Sequence, residues 1–130
     1  MIDHYTLVVS DYAKSKAFYL AALAPLGVEL VMTLTPEMVP ELPFPECCGI
    51  GAGGKPSLWI RPGDSVTPTH IAFVAPNRDA VDAFHAAALA AGGTDHGAPG
   101  LREHYHPTYY GAFVLDPDGY NVEAVCHAPG

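Results

Sequence analysis

The sequence predicts an α+β fold in which one βαβββ module is used twice. Three observations carry this: strand-like and helix-like segments follow the same order in both halves, the halves superimpose at one constant offset, and each half begins with a histidine at the same position. With 130 residues, 49% of them hydrophobic, the chain suffices for one well-buried core and is too short for two independent ones. Residues 1–130 are therefore read as a single domain, with modules at 1–66 and 67–130.

The first strand is read in Ile2–Val9, rich in β-branched and aromatic residues and closed by Ser10-Asp11. Ser10 or Asp11 can cap a helix running to Leu23, and Gly27 ends it. A short apolar strand follows from Val28. The stretch from Pro36 to Pro45 holds four prolines and reads as an irregular loop. Cys47–Ala52 and Ser57–Arg61 complete the module as two strands joined around Gly53-Gly54.

The second module repeats this order 66 residues later, and nine of the 24 positions from His4 to Gly27 are identical to their counterparts. Alanine-rich helices match by composition, so the informative pairs are His4 with His70, Val8 with Val74, Phe18 with Phe84, Leu23 with Leu89 and Gly27 with Gly93. Asn77 takes the capping role of Asp11, Gly92-Gly93 ends the helix, and strands are read near Thr94–His96, Tyr109–Leu115 and Asn121–Cys126. Phe18, Leu23, Phe73, Phe84 and Leu89 are the expected core.

Several function classes are disfavoured. The chain has no apolar run long enough for a membrane span and no secretory leader pattern, so a cytosolic protein with no membrane partner is expected. Cys47 and Cys48 are adjacent and Cys126 would be left over, which makes a poor disulfide framework, so all three are read as reduced. A net charge of −8 with six scattered Lys and Arg residues repels nucleic-acid phosphate.

Two copies related by a pseudo-two-fold axis bring equivalent positions together, and His4 with His70 is such a pair. Alternation along the strands puts Ile2, His4, Thr6 and Val8 on one face, and His70, Ala72 and Val74 on the matching one. Asn121, Glu123 and Val125 share a face of the last strand, which makes Glu123 the natural carboxylate for the same cavity. Subtracting 66 puts Ser57 at the equivalent of Glu123, or Pro56 or Leu58 after a one-residue slip. Two neutral imidazoles and one carboxylate offset half of a divalent charge and leave positions open for substrate, a set suited to Fe(II), Mn(II), Ni(II) or Zn(II).

The chain resembles the vicinal oxygen chelate superfamily, which contains glyoxalase I, the extradiol dioxygenases and the bleomycin- and fosfomycin-resistance proteins. The resemblance spans nearly the whole chain. It rests on Asp3-His4, on Phe18-Tyr19, on Thr69–Phe73 and, most specifically, on the Asp116-Pro117-Asp118-Gly119 turn followed by Glu123. It implies an open mixed β-barrel, a divalent metal held by His4, His70 and Glu123, a small-molecule substrate and a homodimer. Glyoxalase I takes a fourth protein ligand on the strand placed at Ser57–Arg61, where only Ser57 or Trp59 is available, so its chemistry is disfavoured.

A second constellation, His104, His106, Tyr109 and Tyr110, crowds the approach to the seventh strand. The extradiol signature is met here by His104 or His106 and by the Asp116–Gly119 turn, while Phe113 stands where that signature has tyrosine. His106, Tyr110 and His104 are the catalytic candidates, as proton carriers or hydrogen-bond donors to a bound oxyanion; an aromatic lid or dimer seam is the competing role. Arg61 and Arg102 are read as surface residues or as anchors for an anion. The expected function is that of a metal-dependent enzyme, dioxygenase-like or lyase-like, on a small oxygenated substrate that chelates the metal. The alternative is a non-catalytic binding protein of the antibiotic-sequestering type.

Overall fold

A computed structural model of the chain describes residues 1–130. The elements run β1 (Tyr5–Val9), α1 (Tyr12–Leu23), a 3-10 turn (Ala24–Leu26), β2 (Glu29–Leu34), β3 (Cys47–Gly51), β4 (Leu58–Pro62), β5 (His70–Val74), α2 (Arg78–Ala90), β6 (Thr94–Leu101), β7 (Tyr110–Leu115) and β8 (Asn121–Cys126). The two modules therefore have the expected order. Asp11 accepts a hydrogen bond from the Lys14 N–H at the start of α1, and Asn77 accepts one from the Ala80 N–H at the start of α2. Gly27, at φ 82°, supplies the left-handed residue that closes the 3-10 turn.

Each module makes one four-stranded mixed sheet, ordered β1-β4-β3-β2 in the first and β5-β8-β7-β6 in the second. The pairings β1–β4 and β5–β8, at one edge of each sheet, are parallel and the rest antiparallel. The sheets are not closed into a barrel: β1 and β5 are each paired on one side only, and the cleft beside them is lined by Asp3, Tyr5, Ser57, Thr69 and His70 among others.

One face of each sheet is taken up by helix packing. Leu7, Val9, Leu58 and Ile60 of the first sheet, and Val114, Val122 and Ala124 of the second, join Phe18, Leu23, Val81 and Phe84 from the helices in one buried cluster of 21 residues. The core thus runs through both modules. Of the expected core residues, Phe18, Leu23 and Phe84 are buried, Phe73 packs at the margin, and Leu89 is 37% exposed because it lies on the outer side of α2.

Polar ties reinforce this seam at the β7–β8 turn. Asp116 is buried and its Oδ1 accepts from the N–H groups of Asp118 (2.9 Å) and Tyr120 (2.8 Å), which folds the Asp-Pro-Asp-Gly turn around the carboxylate. Across the seam, the Tyr19 hydroxyl donates to Asp116 Oδ2 at 2.5 Å, and the Tyr120 hydroxyl donates to the Val8 carbonyl at 2.8 Å. The Ser10 hydroxyl donates to Asp118 as well.

Gly93, where the second helix turns into β6, sits inside the same seam. A Cβ there would lie 2.4 Å from the Val114 side chain and 2.9 Å from the Phe18 ring. Gly93→Ala is expected to destabilise the fold by about 1–3 kcal/mol through overpacking, seen as a lower urea midpoint at unchanged slope.

Candidate metal centre

The faces turned away from the helices carry the candidate chemistry. On the second sheet, β5 and β8 run in parallel with Ala72 opposite Glu123, so His70, Ala72 and Glu123 share the open face. Glu123 is nonetheless only 2% exposed. His70 and Phe113 cover it, and the His70 ring stacks against Phe113 at 6.1 Å between centroids with 28° between planes. Gly111 leaves the space the carboxylate needs, since a Cβ there would come within 3.2 Å of Glu123 Oε2.

A buried carboxylate requires partners, and Glu123 has two. His70 Nε2 lies 2.9 Å from Oε1, and the Tyr109 hydroxyl donates to Oε2. His70 Nδ1 is 3.0 Å from the Asn121 carbonyl, so Nδ1 carries a proton and donates it there. In neutral imidazole that leaves Nε2 as a lone pair aimed at a carboxylate oxygen. Two acceptors at this separation need a proton or a metal ion shared between them.

His4 follows the same rule but stands apart. Its Nδ1 donates to Asp3 Oδ1 at 2.7 Å, leaving Nε2 free. Hydrogen bonds from His4 and Lys55 hold the Asp3 carboxyl below its ordinary pKa, so Asp3 stays an acceptor. The His4 ring lines a cavity of about 230 Å³ over the first sheet, with Thr6, Leu34, Phe44, Cys47, Trp59 and Arg61 and no residue of the second module. Within one chain no three His, Cys, Asp or Glu side chains converge on a metal position, and His4 and His70 line different cavities.

Strand register also identifies the counterpart of Glu123 in the first module. Thr6 pairs with Trp59 as Ala72 pairs with Glu123, and Thr6 and Ala72 are repeat equivalents. The counterpart is therefore Trp59. Ser57 lies two residues off because the halves slip relative to each other between helix and last strand. An indole fills the place of a fourth ligand.

The catalytic candidates are distributed differently from the sequence expectation. Tyr110 turns to the helix side, where its hydroxyl donates to Asp82 at 2.6 Å and its ring underlies the Arg78 guanidinium. Its neighbour Tyr109 reaches Glu123 instead, and strand alternation is the reason: Phe113, Gly111 and Tyr109 share one side of the chain, Tyr110 and Ala112 the other. His106 is beside this group, accepting from Thr108 through Nδ1 and lying 6.1 Å from the His127 ring. His104 packs on Tyr105 at 4.2 Å. His127, 5.2 Å from Tyr109, belongs to the same aromatic cluster and has no repeat partner or motif to signal it.

Cys47, Cys48 and Cys126 are free and buried, and burial raises the Cys47 and Cys48 thiols above their ordinary pKa. No helix of the chain is long and apolar enough to cross a membrane.

Comparison with known proteins agrees with this architecture. The family model for the Glyoxalase/Bleomycin resistance protein/Dioxygenase superfamily matches residues 1–124. No curated protein matches the chain. A solved glyoxalase/bleomycin resistance protein from Albidiferax ferrireducens T118 is 26% identical, with a TM-score of 0.67 and 95% of each chain covered. A glyoxalase I variant from Zea mays is 19% identical with a TM-score of 0.70, covering 99% of this chain and 45% of its own. The oxidase ChaP-H2 is 24% identical with a TM-score of 0.68, covering 100% of this chain and 95% of its own.

Burial and the hydrogen bond to Glu123 raise the pKa of the Tyr109 phenol above its ordinary value of 10.0. The folded state therefore retains a proton that the unfolded state releases, so the stability from this group is intact below pH about 10 and falls as pH rises beyond it. In Tyr109→Phe, the alkaline loss of stability should be shallower than in wild type, measured by urea unfolding at pH 8 to 11, and about 1 kcal/mol should be missing at neutral pH.

Proposed function

The chain belongs to the Glyoxalase/Bleomycin resistance protein/Dioxygenase superfamily, and on that premise we propose that it is a metal-dependent enzyme acting on a small oxygenated substrate that chelates the metal. The observation that carries this reading is the treatment of the two histidines. Each is tethered through Nδ1, one to Asp3 and one to the Asn121 carbonyl; this leaves His4 Nε2 free and directs His70 Nε2 at the buried Glu123 oxygen. This is how a protein prepares imidazoles as ligands.

No three candidate ligands converge within one chain, and His4 and His70 line different cavities, so we place the set across two copies, His4 from one and His70 with Glu123 from the other. Supporting this, neither non-helix face has a helix over it, β1 and β5 have free edges, and the chain has three lysines to blunt them. Two imidazoles and one carboxylate suit Fe(II), Mn(II), Ni(II) or Zn(II) over magnesium or calcium. When bound, such an ion polarises chelating oxygens and lowers the pKa of a bound hydroxyl.

The protein's own groups then have separable tasks. Glu123 and the histidines hold the ion, and Tyr109, kept neutral by burial, donates to Glu123 and fixes which oxygen faces inward. His106 and His104, on the segment before β7, are the candidates to take or return a substrate proton. Trp59 in place of a carboxylate argues against an isomerase that needs a fourth, dissociable ligand.

Two measurements test the reading. After metal-supplemented purification, elemental analysis should find about one divalent transition metal per chain, lost in His4→Ala, His70→Ala and Glu123→Ala and retained in His106→Ala. Unfolding and refolding His4→Ala together with His70→Ala should restore about a quarter of the sites, because random pairing makes half the dimers mixed and each mixed dimer has one intact site. Ligands confined to one chain would restore none. Folded wild-type protein that stays metal-free after loading would instead support a sequestering protein.

A further inference from the structure

Two of the chain's three arginines lie on the two open faces, one in the cavity that holds His4 and one in a cavity lined by Phe113 and Asn121, both neighbours of His70, in a protein with 14 acidic and six basic residues. Arg102 lines a cavity of about 280 Å³ with His96, Tyr105, Phe113 and Asn121. Its guanidinium lies 5.3 Å from the Phe113 ring, the same ring that stacks on His70. Nη1 donates to the Gly100 carbonyl and Nη2 to the Ala98 carbonyl, each at 2.8 Å.

The position is built for it. A Cβ at Gly97 or at Gly100 would stand 3.2 Å from an Arg102 guanidinium nitrogen, so β6 uses glycine where the group lies. Of five guanidinium N–H groups the carbonyls occupy two, which leaves three donors. Arg61 is held similarly, 4.6 Å from the Phe44 ring with Nε donating to the Pro62 carbonyl, in the cavity that contains His4. Neither arginine has a carboxylate within salt-bridge distance, and neither cavity is lined by one.

We propose that the substrate is an anion, a small carboxylate-bearing molecule with adjacent chelating oxygens, whose charge is received by Arg102 and, from the facing copy, by Arg61. This rests on the metal-dependent reading above and adds the class of substrate to it. Charge balance supports it. A divalent ion with one carboxylate and two neutral imidazoles keeps one positive charge, and the two guanidiniums raise the site to three. A neutral chelator that ionises on binding offsets at most two of these; a carboxylate supplies the third. The aromatic walls, Phe113, Phe44 and Trp59, suit a planar body between chelating and anionic ends.

The test uses the full-length protein supplemented with Mn(II), titrated calorimetrically with catechol, 2,3-dihydroxybenzoate and 3,4-dihydroxybenzoate. At least one benzoate should bind about tenfold tighter than catechol, with a preference that shrinks as salt is raised. Arg102→Met, which keeps an apolar stem over Phe113, should weaken the benzoate several-fold more than catechol and so reduce that preference; Arg102→Lys should keep part of it, and Arg102→Met with Arg61→Met should abolish it. Wild type without a preference, a double variant that retains it, or an Arg102→Met variant that weakens catechol equally would overturn the proposal and leave the metal reading standing. Protein that takes up neither Mn(II) nor catechol would overturn both.

Discussion

Every sheet has two faces, and this chain has only one helix per sheet. That shortage governs the rest of the structure. The helix-side faces are merged into a common core, tied by Tyr19 to Asp116 and by Tyr120 to the Val8 carbonyl, and no helix remains for the other two faces, which only loop segments such as those of Phe44 and Tyr109 partly cover. The candidate ligands sit on those helix-free faces, so the demands of folding and of the site do not compete for the same surface. A buried core on one side of each strand fixes register, and register in turn fixes which side chains look outward.

Much of this was legible in the sequence. The repeat located β1, α1, β5 and α2 because histidine, phenylalanine and glycine recur at one offset, and the turn around Asp116 announced β8. β6 was read short, near Thr94–His96, whereas it extends to Leu101. Gly97, Pro99 and Gly100 have turn composition, yet here they occupy an irregular strand whose pairing shifts between Asp95 and Gly97 and again between Gly97 and Gly100.

The site was legible in part, and the gaps have physical causes. Tyr110 was expected at the site where Tyr109 stands; counting back by twos from Phe113, the cross-strand neighbour of Glu123, passes through Gly111 to Tyr109 and would have separated the two. An ungapped offset cannot reveal that the halves differ by two residues before their last strands, so it points to Ser57, and the register decides between Ser57 and Trp59 in favour of Trp59. That His4 and His70 line different cavities is beyond sequence altogether, since equivalence in a repeat states symmetry and not distance. Which faces the modules spend on each other is decided only by packing.

Trp59 has a consequence of another kind. It is the sole tryptophan, and it stands in the first module's cavity beside His4 and Arg61, facing the Gly49 backbone that makes room for its ring. The protein's tryptophan emission therefore originates beside His4. Any change in polarity there, whether from an arriving ion, a docked aromatic or a facing copy, is written into a single chromophore's spectrum without a label, so the site carries its own optical gauge.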